Sequence, residues 1–195
     1  MTGMCISCEG GSRDDLLFSI HRRIGRFGVA LQRVDVEPPG LSWSYTIGLA
    51  DGFDHTELVI LGGSAEQNHW ALNTAADLVA HSGVLEGGTT VVLDALVVGV
   101  GEVHNHHVDN GLVATWLEYY SALGGPTRTL EVLQLVLPAE RSCQQHQQAV
   151  PLLSDPLASR EAGVAVGPNN VDRAERRRRE RAEIKRRAID QRHSN

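Results

Sequence analysis

Four groups of residues have the types and spacing for chemistry. Cys5 and Cys8 flank two residues, and two thiolates at that spacing can clasp one Zn²⁺. A tetrahedral site needs two more ligands, and "HNHHVD" offers His104, His106 and His107. On a strand, His104 and His106 would share a face and could chelate. Cys143 and His146 form a further pair. A single Cys-x-x-Cys is half of a usual zinc pattern, and an N-terminus beside a His-rich loop is the plainer account of it. A redox dithiol fits less well, because the pair does not follow a strand and open a helix.

The second group lies in "LSWSYTIGLADGFDHTELVILGG", residues 41–63. Trp43, Tyr45, Ile47 and Leu49 alternate with Ser42, Ser44, Thr46 and Gly48, the period of a strand. Tyr45, Thr46, His55 and Glu57, joined by His104, are the pocket candidates. A nucleophilic serine would need a base in hydrogen-bond reach and donors for the oxyanion. No Gly-x-Ser-x-Gly elbow is present. The plainer expectation puts the rings in the core and the hydroxyl row on a wet face. Asp54, His55 and Glu57 could bind a metal or serve as acid and base. Turn chemistry beside a strand-start carboxylate explains the same three residues.

The last group is "VDRAERRRRERAEIKRRAIDQRHSN". Arg176, Arg177, Arg178, Arg179, Arg181, Lys185, Arg186 and Arg187 could grip phosphates with steep salt dependence. No aromatic residues interleave to stack on bases, so nucleic-acid binding there would be unspecific. A docking arm for an acidic protein, or a solvated extension, fits equally well. No phosphate loop accompanies it: "GVGEVH" lacks the lysine and the following helix.

These groups must be carried by a body of ordinary composition. The chain has 195 residues, 42% hydrophobic and 5% aromatic, with a net charge of −6. That is enough for one domain whose core leans on Val, Leu, Ile and Ala. The acidic balance argues against the whole body gripping nucleic acid. Three cysteines cannot all pair, and "MTGMCISCEGGSRDD" has no basic start or apolar run. A reducing cytoplasm with free or metal-bound thiols is expected. The stretch Val91 to Val100 is too short to span a membrane.

Ser12 and Asp15 resemble a capping box, and Leu16, Leu17, Ile20, Ile24 and Phe27 recur at helical spacing. A helix over 13–26, stopped by Gly28, is predicted. "VALQRVDV" reads as a strand, broken by Glu37-Pro38-Pro39-Gly40. Strands near 43–49 and 57–62 follow, with Asp51-Gly52 a hairpin-type turn between them. Ser64 and Gln67 start a helix with Leu72, Ala75, Ala76 and Val79 inward, ending at Gly83. "GGTTVVLDALVVGVGEV" is one long strand, or two bent at Gly99 or Gly101. A helix carrying Val113, Trp116, Leu117 and Tyr120 and a last strand, "TLEVLQLVLP", complete the order. The expected class is α+β. It has a mixed, mostly antiparallel sheet, two or three packed helices that cover one face, and a basic C-terminal helical or disordered tail. Residues 1–157 form the domain, 158–171 a linker and 172–195 the exposed tail. Glu175 with Arg179 and Glu183 with Arg187 support that tail's helix.

The helix after "CISC", then "SWSYTIGL", "HTELVILG" and "VLQLVLP", resemble the domain-of-unknown-function 4262 family of bacteria, common in actinobacteria. Those proteins show an aromatic-Tyr-Thr-hydrophobic-Gly-Leu strand and then a Pro-Glu-Leu strand. Thr56 stands here where the proline is usual, and Glu57 and Leu58 match. The resemblance runs over residues 4–153. It departs after the last strand, where "AERSCQQHQQAVPLL" replaces a Gly-Arg-aromatic-Pro-Trp segment. It implies a fold boundary and no activity.

Three functions stay open at this point. One is a cytoplasmic binding or regulatory domain without a complete catalytic set, its sheet presenting a pocket. Another is a metal- or flavin-dependent enzyme, the flavin by analogy with split-barrel proteins only. The third is a nucleic-acid-associated accessory protein working through the Arg-rich tail.

Overall fold

Ser12 opens the first helix as its spacing foretells. In the computed structural model, which describes residues 12–36, 41–125, 130–138 and 152–155, its hydroxyl accepts the Asp15 N–H while the Asp15 carboxylate accepts the Ser12 N–H. Helix α1 runs Arg13–Phe27 and ends at Gly28. Strand β1 (Ala30–Val34) pairs antiparallel with β2 (Trp43–Ile47), and β2 with β3 (Glu57–Leu61). Between β2 and β3 the chain makes a short helix, α2 (Leu49–Phe53), in place of the expected Asp51-Gly52 hairpin turn. Gly48 before it and Asp54 after it both take positive φ, 117° and 56°. Two such reversals let a single helical turn bridge strands that remain antiparallel.

Ser64 and Gln67 form the second capping box, which starts α3 (Ala65–Ser82). The valine-rich segment after it folds differently from expectation. It is a hairpin of β4 (Thr89–Leu93) and β5 (Leu96–Glu102). The chain reverses at Asp94, φ 53°, not at Gly99 or Gly101. Asp tolerates the left-handed region better than most residues do.

A short helix α4 (Asn105–Asp109) precedes α5 (Ala114–Ala122) and β6 (Val132–Val136). The six strands lie in the order β1-β2-β3-β6-β5-β4, with β3 and β6 parallel and every other pair antiparallel. The fold is thus α+β with a mixed, mostly antiparallel sheet.

Helices cover both faces, not one. Alternate residues of the central strands separate into two cores. Trp43, Tyr45, Ile47, Val59 and Leu61 join Ile20 of α1 and Trp116, Tyr119 and Tyr120 of α5. Leu58, Ile60, Leu133 and Leu135 join Ala71, Leu72, Ala75, Ala76 and Val79 of α3. Each fully buried Leu or Ile contributes about 1.5–3 kcal/mol, so two such faces supply a core that scarce aromatics alone would not. The consequence for the hydroxyl row is direct. Ser44 and Thr46 face α3 and are buried, where a one-sided sheet would have left them wet.

Candidate functional site

Glu57 is the first residue of β3 and has no measurable exposure. The ladder between β2 and β3 ends at Tyr45 opposite Val59. Beyond that pair the strands part, and the gap is filled by side chains. Thr46 Oγ1 donates to Glu57 Oε2 at 2.6 Å and accepts the Leu58 N–H at 2.8 Å. The first turn of α2 supplies Gly48 N–H at 2.9 Å, with Leu49 and Ala50 N–H at 3.4 Å. Trp116 Nε1 reaches in from α5 at 3.1 Å. Every one of these groups donates to the carboxylate, which also explains why α2 forms: its orphan N–H groups find their acceptor here.

No basic side chain is among those partners. Burial pushes the Glu57 carboxyl above the usual carboxylate range, and the Thr46 hydroxyl, then the Gly48 and Ala50 N–H groups, then Trp116 pull it part of the way back. The surrounding phenols respond to the same burial. The Tyr45 hydroxyl accepts the Thr115 N–H at 3.2 Å, and burial pushes its phenol up to about 12. Tyr120 is raised further by burial, its hydrogen bond to Asp51 and the nearby carboxylate charges. Tyr119 is raised by burial and then by Asp51, and its hydroxyl meets His21 Nδ1 at 3.0 Å. A chain of contacts therefore ties α1, α2, α5 and β3 together around one carboxylate.

His55 is buried beside this network but looks elsewhere. Its Nε2 accepts the Leu85 N–H at 2.8 Å, and its Nδ1 lies 2.7 Å from the Thr56 carbonyl oxygen. Since Nε2 accepts, Nδ1 carries the proton and donates. Both nitrogens are committed to the backbone, fastening the segment after α3 to the start of β3. His104 is the N-cap of α4, not a strand residue, and its Nδ1 accepts the His106 N–H at 3.1 Å. The His106 ring lies against the Asn110 amide. The two rings thus do not stand on one face of a strand as the chelating arrangement required. His107, unlike His104 and His106, is buried, with Nε2 at 2.7 Å from the Asp155 carbonyl oxygen.

Among the described residues no group of three or more His, Cys, Asp or Glu is placed to hold a metal ion. Cys5, Cys8 and Cys143 lie outside the described residues, as do Arg176, Arg177, Arg178, Arg179, Lys185, Arg186 and Arg187. Of the pocket candidates, Thr46 and Glu57 meet, Tyr45 lies in the core with Trp116 and Tyr120, and His55 and His104 serve other contacts. Trp116, Tyr120 and the Gly48 turn complete the carboxylate's surroundings. The sequence pattern marks Trp116 and Tyr120 only as members of one helical face. The signal that could have found the site was an acidic residue opening an otherwise apolar strand, "ELVIL".

The family model described as a domain of unknown function (DUF4262) matches residues 23–143. The chain belongs to the DUF4262 family. No curated protein and no solved structure matches it. The DUF4262 match contains Glu57 and each of its donors, Thr46, Gly48, Leu49, Ala50 and Trp116. Cys5, Cys8 and the arginine-rich segment fall outside it. No helix among the described residues of this DUF4262 protein is long and apolar enough to cross a membrane.

Proposed function

We propose that this DUF4262 chain is a non-catalytic binding domain of the cytoplasm. The observation that carries this reading is the commitment of its chemical groups to the scaffold. Glu57, the best placed acid, is enclosed by five donors. His55, the best placed base, spends both nitrogens on the backbone. A general acid or base needs a free position facing a reactant, and these two are turned inward to fasten β3, α2 and α5. The work left to the molecule is recognition by its surface. Cysteine usage, three thiols that cannot all pair, supports the cytoplasmic location.

Elemental analysis and a visible absorption spectrum of the purified full-length chain test this against the zinc or flavin enzyme. The expected result is neither group at stoichiometric level, together with a defined macromolecular partner that copurifies with tagged protein in fixed ratio. Bound flavin, or one zinc per chain removed by chelator with loss of a measurable turnover, would overturn it.

A further inference from the structure

We propose that the free edge of β4 is a docking site for an extended, basic segment of a partner protein, added as a seventh strand. This rests on the reading of the chain as a binding domain. Among the described residues, strand β4 is last in the sheet and pairs with β5 alone, so one side of its backbone offers N–H and C=O groups that no described strand pairs. Exposed edges are usually blunted by lysine, proline, inward charges or a covering element. The five residues of β4, Thr-Thr-Val-Val-Leu, hold none of those residue types. Val92 is 60% exposed and pairs with Val97, 58% exposed. Their neighbours Val91, Leu93, Leu96 and Val98 belong to the α3 core. Val92 and Val97 therefore point to the opposite face, outside the core that α1 and α5 form among the described residues.

The other edge of the sheet behaves differently. Strand β1 carries Arg33, ion-paired with Asp35, and α1 packs on it. Charge blunts that edge, so the two ends of the sheet are not equivalent.

Charge complementarity selects the occupant of the β4 edge. Between Arg33 and Arg128 the sequence contains no lysine or arginine. Glu86 stands before β4, Asp94 in its turn and Glu102 at the end of β5. The basic residues described, Arg13, Arg22, Arg23, Arg26 and Arg33, sit on α1 and β1. A second copy joined edge to edge about a twofold axis would set two acidic ends against each other. A strand with apolar residues on one face and Lys or Arg on the other would complete the ladder, cover Val92 and Val97, and meet the three carboxylates.

The test uses the full chain and short synthetic peptides: one alternating valine and arginine, one alternating valine and glutamate, and the arginine peptide interrupted by proline. Calorimetry should show the valine–arginine peptide binding at least about tenfold more tightly than either control, with affinity falling as salt rises. Amide-hydrogen exchange should slow in residues 89–93 on binding. Val92→Lys, at an exposed position, should weaken binding about tenfold, and Val92→Thr should keep most of it. Equal binding of the glutamate or proline peptide, protection located elsewhere, or an unaffected Val92→Lys variant would overturn the proposal. So would a peptide-free dimer with residues 89–93 already protected, which assigns the edge to a second copy. Any of these with a copurifying partner still present leaves the binding reading standing, whereas stoichiometric flavin removes that reading itself.

Discussion

Thr46 and Glu57 meet where two antiparallel strands part. The Thr46 hydroxyl donates to Oε2 at 2.6 Å while accepting the Leu58 N–H at 2.8 Å. One side chain thus replaces the missing rung of the ladder and holds a buried carboxyl group. Thr46→Val keeps the shape and removes both roles, stranding a buried N–H and a carboxylate oxygen. The expected loss is about 2–4 kcal/mol in urea unfolding. Thr46→Ser keeps the hydroxyl and should stay within about 1 kcal/mol of the native chain. Equal stability of the valine variant would show that this rung carries no weight.

Glu57 sets a pH dependence whose sign follows from burial. Its folded-state value lies above the ordinary 4.5, so the fold retains a proton that the unfolded chain has released. That contribution is fully present below the unfolded value and is lost as pH rises through the folded one. Glu57→Gln cannot titrate. The stability of the native chain minus that of the variant should fall as pH climbs from about 4.5, then level off. Asp15, held below its usual range by Ser12, pulls the opposite way but is common to both proteins. Chemical denaturation across pH 4 to 8 reads the difference. A difference that rises with pH would mean that the five donors outweigh burial.

Local signals were the legible ones. Ser12 with Asp15, and Ser64 with Gln67, fix two helix starts within three residues of themselves. The alternation of Trp43, Tyr45 and Ile47 with Ser44 and Thr46 was equally plain, and the rings are interior as expected. What the alternation could not state was the fate of the other face, because the helix that covers it begins only at Ala65. Helix α2 was hidden for the same reason. Five residues carrying Asp51-Gly52 look like a turn until a carboxylate from the next strand satisfies their N–H groups. The site itself was half visible. Tyr45, Thr46 and Glu57 stand out by type, but Trp116 lies 59 positions from Glu57, a distance only tertiary packing closes.

Two glycines should respond in opposite directions. Gly48 takes φ 117°, and a Cβ there would lie 2.9 Å from the Gly28 carbonyl oxygen and 3.2 Å from Ile24. Gly48→Ala should cost about 1–3 kcal/mol or more through strain at the turn that feeds Glu57. Gly25 sits within α1, and a methyl group placed on it would meet nothing within 4 Å. Gly25→Ala should raise stability by about 0.5–1 kcal/mol. Thermal melts followed by circular dichroism separate them, and a Gly48→Ala variant as stable as the native chain would contradict the geometry.

All three tyrosines of the chain, Tyr45, Tyr119 and Tyr120, are buried and raised above 10.0, Tyr45 to about 12. Burial leads in each case, since a phenolate would lose its water, and the Arg13 charge offsets only part of that at Tyr45. The unfolded chain releases these protons near their ordinary value, so the contribution of the three phenols to stability is lost as pH rises through the folded values. Alkaline titration followed by phenolate absorbance should therefore show no step around pH 10 while the fold persists. Absorbance should climb together with loss of the circular dichroism signal, as unfolding frees all three rings at once. Tyr119→Phe leaves two titrating rings and should lower the final amplitude by about a third without creating an earlier step. A gradual rise centred at the ordinary value, before any loss of structure, would place at least one of these hydroxyls in water and break the link from α5 to Asp51 and His21.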